Sequence, residues 1–362
     1  MRIERISSRQ FTWLIITVCI STSSVVLPGM IIFTAKQSAW LSITIGTLVG
    51  ISGLLLNLAL INRFPRQTVA QFAQTLLGPW LGKLIGLFYG LACLYIAALC
   101  IRIITQLIQT ATLQETPLWP LVLGFSVTAV YGAWLGIEPL SRANDLLLPT
   151  SLVIAIALFF LAMPDGKLYR AIPVLQFEFK DILTAVIPVA ACIGEVFIVL
   201  LLSPAINKLE ELKSASLKGV LISGIILALT SQGILFLLGV YRASIYLFPL
   251  MRIAEELHVL DVFERLEPLV LTIWFFVNGI KMCVFTYCFS VSTTQALGLK
   301  NYLPTLFVAL IVIPILSLTP KNIAEFFAIW MNLVAFEIII PTAFFIIPAL
   351  LLITAKVKKQ YG

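Results

Sequence analysis

Long apolar runs alternate with short polar ones along the whole chain, and about 20 apolar residues in a helix span the hydrocarbon core of a bilayer. The pattern predicts about ten membrane helices, at 10–34, 40–62, 83–110, 118–137, 145–163, 184–203, 218–240, 267–296, 303–318 and 324–354. The ninth is short and contains Pro314, while the third, eighth and tenth are long enough to tilt. The first run is too long for the apolar core of a signal peptide and has no small-residue cleavage site after it, so it reads as the first span.

Three connections carry a pattern of their own. Residues 64–82 read as a short amphipathic helix, with Val69, Phe72, Ala73 and Leu76 on one face. Residues 164–183 form a polar link containing Asp165, Glu178 and Asp181. Residues 249–266 read as a second amphipathic helix, Met251, Ala254, Leu257 and Val262 opposing Arg252, Glu255, Glu256 and Asp261. Either helix can cover a loop or act as a lid.

Composition agrees with the pattern. Of 362 residues, 60% are hydrophobic and 11% charged, where a soluble domain carries roughly 25% charge. The expected fold class is therefore an all-α, polytopic membrane protein forming a single transmembrane domain. The net charge of +7 comes from basic residues scattered over short loops, with no basic patch or RNA motif, so nucleic acid is not an expected partner. Fourteen Lys and Arg fall on the side of the N-terminus and eight on the other; Arg102 and Lys281, inside spans, complete the 24. The excess predicts that both termini are cytoplasmic. Cys19, Cys93, Cys100, Cys192, Cys283 and Cys288 all lie in apolar segments without a CxxC, and His258 sits beside acidic residues in a loop. Neither metal, cofactor nor disulfide is expected. No nucleophile–base set or phosphate loop is present, so neither is catalysis.

Four charges fall within spans: Arg102 in the third, Glu195 in the sixth, Lys281 in the eighth and Glu337 in the tenth. A charge at that depth faces the bundle interior or water. All four are expected to be buried, and two readings stand: interior pairs that hold helices together, or groups that line a cavity; Glu195 with Lys281 reads as such a buried pair. Tyr95, Arg102, Gln106 and Gln109 form one stripe, and Trp274, Asn278, Lys281 and Phe285 another, at helical spacing.

Polar and helix-breaking residues cluster in two spans. The first contains Ser21, Thr22, Ser23 and Ser24 followed by Pro28 and Gly29; the sixth contains Ala190, Ala191, Cys192, Ile193, Gly194 and Glu195 between Pro188 and Pro204. Two interrupted spans, five apart in a set of ten, are the pointer to an inverted-repeat transporter fold with its site at the breaks. The repeats would be about 10–163 and 184–354. Local alternatives are serine hydroxyls bonding back to carbonyls of the preceding turn and close helix contact through small residues. The candidate ligand-binding set is Ser21, Thr22, Ser23, Ser24, Tyr95, Cys192, Ile193, Gly194, Glu195, Asn278 and Lys281.

Several blocks carry a resemblance. STSSVVLP, FPRQTVAQFAQTLLGPWLGKLIGLFYG, WLGIEPLSRANDLLLP, GEVFIVLLLSPAINK and VFERLEPLVLTIWFFVNGIKMCVFTY together make the chain similar, over nearly its whole length, to the B subunit of spore germination nutrient receptors, a branch of the amino acid–polyamine–organocation superfamily. The resemblance implies ten spans in two inverted five-helix repeats with helices 1 and 6 broken. It implies sensing of a small nutrient such as an amino acid in the spore inner membrane, beside an A subunit and a lipoprotein C subunit. Relatives often have glycine where this chain has Ser21–Ser24, which implies a different ligand environment. The alternatives are a proton-coupled amino-acid permease, in which Lys281 exchanges a proton, and a subunit that binds no ligand itself.

Overall fold

A computed structural model describes residues 4–172, 178–256 and 267–358. Fourteen α-helical segments occur among them: α1 (Ser8–Ala35), α2 (Ala39–Arg63), α3 (Val69–Leu77), α4 (Pro79–Ala111), α5 (Leu118–Leu135), α6 (Ile137–Ala162), α7 (Phe179–Gly194), α8 (Val199–Leu202), α9 (Leu212–Ile245), α10 (Pro249–Glu256), α11 (Glu267–Leu297), α12 (Leu303–Leu318), α13 (Ile323–Glu325) and α14 (Ile347–Val357). Eight helical stretches of the described residues are long and apolar enough to cross a membrane. One of them, Ser8–Arg63, contains both α1 and α2. Counting these separately and adding the shorter apolar α12 gives the ten expected spans.

Local chemistry explains where the helices begin. Ser7 and Gln10 cap α1 reciprocally: the Gln10 N–H donates to Ser7 Oγ at 3.2 Å and the Ser7 N–H to Gln10 Oε1 at 2.9 Å. Thr68 and Gln71 repeat the device at α3. The helix α3 buries Val69, Ala70, Phe72, Ala73 and Leu76, the face expected from its periodicity. In α10, Met251 and Ala254 are buried as expected. Leu257, His258, Asp261 and Val262 lie outside the described residues.

The spans are not equivalent. In its most apolar window Ser8–Arg63 is 89% buried, whereas Ile137–Asp165 is 22% buried; α1 is therefore central and α6 peripheral. Helix α1 packs on α9, α7, α11 and α6, and α11 packs along α4. Large apolar side chains such as Trp80 (83% exposed) and Phe33 (71%) point outward, which suits a surface solvated by lipid.

The N-terminal segment is fastened to one end of the bundle. Ile6 pairs with the chain around Ile206, donating to the Ala205 carbonyl at 2.9 Å and accepting from the Asn207 N–H at 3.0 Å. The Glu4 carboxylate accepts from the Ile137 N–H at 2.5 Å, capping α6. Gly136, at φ 97°, lets the chain turn sharply against that carboxylate. Partial burial pushes the Glu4 carboxyl above its usual range, opposed by the Ile137 and Glu138 N–H groups.

The tenth span departs from the expected α-helix. It is π-helical over Phe326–Ile339 and Thr342–Ile346. Pro341 stands between the two stretches. In an α-helix its ring would clash with the Glu337 carbonyl four residues earlier, and a wider turn relieves that clash.

Candidate functional site

Span six changes winding where its charge lies. The helix α7 ends at Gly194, the backbone tightens to a 3-10 helix over Glu195–Ile198, and α8 follows. The Glu195 side chain projects from this junction towards α11, where Lys281 sits with no exposed surface. Lys281 Nζ lies 2.5 Å from Glu195 Oε2 and donates to Thr22 Oγ1 at 2.5 Å. One ammonium thus joins the first, sixth and eighth spans. Neither charge faces lipid, and the pair balances itself in a medium where an isolated ion is very costly.

Span one is a continuous helix from Ser8 to Ala35, so the expected unwinding at Ser21–Ser24 is not observed. Ser24 Oγ donates to the Ser21 carbonyl at 3.1 Å and accepts from Trp274 Nε1 at 3.3 Å. The serines are accommodated by a hydroxyl bonding back into its own helix and by contact with α11. Pro28 is carried within the helix. The Ser21 hydroxyl and Asn278 Oδ1 are buried without a hydrogen-bond partner, while Asn278 Nδ2 donates to the Trp274 carbonyl at 3.1 Å.

Beside the ion pair is a cavity of about 20 Å³, room for about one water. Of the expected set, Thr22, Ser23, Cys192 and Glu195 line it; the wall is completed by residues of α4, including Ile96, Leu99 and Cys100, and by Met331, Ala335 and Phe336 of span ten. Ser21, Ser24, Asn278 and Lys281 are not among its lining residues.

Other expected residues go elsewhere. Ile193 packs into Gly50 of α2, and a Cβ added at Gly194 would come within 2.6 Å of Ile340 Cγ2. At Gly194, small size serves a close helix contact rather than the cavity wall. The Tyr95 hydroxyl donates to the Trp330 carbonyl at 2.8 Å, and its ring stacks on Trp330. Arg102 is buried as expected, but its Nη1 donates to the Ser317 carbonyl at 3.3 Å instead of joining an acid. Gln106 donates to Gln109, whose own Nε2 donates to the Thr116 carbonyl. The stripe on α4 therefore ties spans together and does not form one cavity wall. Glu337 is exposed, which corrects its expected burial; it lines a separate cavity at the end of the bundle opposite Ile6.

Three uncharged residues escaped the reading by charge. Thr17 Oγ1 donates to Asn144 Oδ1 at 2.7 Å, fixing α1 to α6 within the LSRAND block. Asn57 Nδ2 donates to the Phe344 carbonyl at 2.9 Å, fixing α2 to span ten. For Asn57, a lone asparagine in an otherwise apolar run was the available signal.

The family model for "Spore germination protein" matches residues 5–326. The chain is 26% identical to spore germination protein KB of Bacillus subtilis (strain 168) over 365 residues, covering 99% of this chain and 97% of that one. Among solved structures, Mhp1, a nucleobase-cation-symport-1 family transporter in a closed conformation with bromovinylhydantoin bound, superposes with a TM-score of 0.64 at 13% identity, covering 99% of this chain and 79% of that one. MhsT in complex with L-phenylalanine gives 0.62 at 14%, covering 97% and 98%. The fold is thus that of these transporters.

Proposed function

The chain belongs to the spore germination protein family, as an integral multi-pass membrane protein of germinant-sensing or permease-like kind, and on that premise we propose that it senses a small nutrient in the cavity beside Lys281 and Glu195. The observation that carries the reading is the Lys281 ammonium, held between Thr22 of span one and Glu195 at the winding change of span six. An amino acid presents one group of each sign. It can insert between Lys281 and Glu195 without leaving either charge uncompensated, whereas an apolar or singly charged solute cannot. Thr22 and Ser23 offer hydroxyls to its polar end, and Cys192 with the α4 side chains shapes the rest.

The cavity admits about one water in this state, so nutrient binding requires the spans around it to separate. A ligand shifts that equilibrium by its differential affinity for the open and closed arrangements. In this reading an A subunit and a lipoprotein C subunit detect the shift, both termini are cytoplasmic, and the two five-span halves, about 10–163 and 184–354, rock against each other in the spore inner membrane.

The test is germinant specificity in spores carrying this subunit in place of a resident one. Altered specificity of Ser23→Ala or Thr22→Val at normal protein level supports the reading; unchanged specificity favours a subunit that binds no ligand. The transporter fold and an ammonium seated where three spans meet favour one further reading, a proton-coupled amino-acid permease. Accumulation of labelled amino acid by proteoliposomes under a proton gradient would replace the sensor reading with that one.

A further inference from the structure

The end of the bundle opposite Ile6 holds a cavity of about 580 Å³, within the size range of small-molecule sites. It lies where α1 and α9 end and where α7 and the π-helical part of span ten begin. Glu337 is the one charged residue among its described lining residues, and among the described residues no ion pair or hydrogen bond engages it. Thr34, Thr184 and Asn332 add polar groups, and Phe327 and Phe336 add aromatic surface.

The winding of span ten builds this wall. Phe327, Asn332 and Glu337 are five residues apart. In an α-helix successive members would be turned by about 140° from one another; the i→i+5 repeat of a π-helix brings them much closer to one face. The neighbouring Phe336 is buried and, with Val26, lines both this cavity and the small one beside Glu195. The two cavities therefore share a wall.

We propose that this cavity is an outer recognition site for small primary amines and the ammonium end of amino acids, with the Glu337 carboxylate as anchor. Its described lining residues include no cation to receive a ligand carboxylate, so an amino acid docks ammonium first with its carboxylate left towards water. A lone carboxylate between aromatic and aliphatic walls suits an ammonium on an apolar body better than a divalent metal, which demands several oxygen ligands. The proposal extends the nutrient-sensing reading by giving the nutrient a stop before the shared wall, yet binding here does not require the inner cavity to open.

The experiment is calorimetry with the purified full-length protein in nanodiscs, using phenethylamine as probe against 2-phenylethanol and phenylacetate. Wild type should bind phenethylamine at least tenfold more tightly than either control. Glu337→Gln should weaken it at least tenfold, and Glu337→Asp should retain part of the affinity. Ser23→Val, which narrows the inner cavity and removes its hydroxyl, should leave probe binding unchanged. Equal binding of phenylacetate, absence of phenethylamine binding, or affinity unaffected by Glu337→Gln overturns the outer site. Loss of probe binding in Ser23→Val with no loss in Glu337→Gln also overturns it while supporting the inner one.

Discussion

Glu195 and Glu337 begin alike, as carboxylates in apolar spans, and end in opposite environments. Glu195 is buried against Lys281 beside a cavity of about 20 Å³. Glu337 is unpaired among the described residues and opens into about 580 Å³. A charge at bilayer depth has two solutions, a partner or water; Glu195 takes the partner, and Glu337 is left exposed at a cavity. A paired charge carries the packing of three spans with it; an exposed one does not.

Lys281→Met should separate the two most sharply. It strands Glu195 without its counter-charge and should destabilise the protein by about 3–5 kcal/mol, read as a lower melting temperature and reduced monodisperse yield in detergent. Replacing both members, Lys281→Met with Glu195→Met, should recover much of that loss, because a buried pair exchanged for apolar side chains of similar volume is often neutral. If the double variant is as unstable as the single one, charge balance is not what holds these spans.

Thr22→Val keeps the side-chain shape but removes the hydroxyl that accepts from the ammonium. A hydrogen bond to a charged group contributes about 1.5–3 kcal/mol, and a double-mutant cycle with Lys281→Met should show the two losses coupled. Gly194→Ala forces a methyl towards Ile340 and should cost about 1–3 kcal/mol by overpacking, measured by the same melts. Glu337→Gln should change stability by less than about 0.5 kcal/mol, as for a surface site. A loss comparable to that of Lys281→Met would mean that Glu337 has a structural partner, and would dissolve the contrast.

The spans were legible because bilayer thickness and helix rise fix the length of an apolar run, and each of the ten stretches coincides closely with observed helix. The helix α3 was legible because its apolar positions recur at helical spacing beside a polar face. Lys281 and Glu195 stood out as membrane charges for the same energetic reason. Their pairing was legible as well, as opposite charges that an apolar interior brings together; what was not is that Arg102, equally conspicuous, uses the Ser317 carbonyl instead of an acid. The continuity of span one was also hidden. A run of serines is compatible with unwinding or with back-bonding, and the choice depends on Trp274 of α11 arriving at Ser24.

By itself, then, the sequence determined a ten-span membrane bundle and the residues whose polarity demands an explanation at that depth, because transfer of charge and backbone into hydrocarbon is so costly that the pattern admits few alternatives. Beyond the Lys281–Glu195 pair, the tertiary structure alone decided which polar residues meet, which glycines serve packing, and which glutamate faces a cavity mouth. Those outcomes depend on helix rotation and winding, and a π turn in span ten moves side chains around the axis without changing one residue of the apolar pattern.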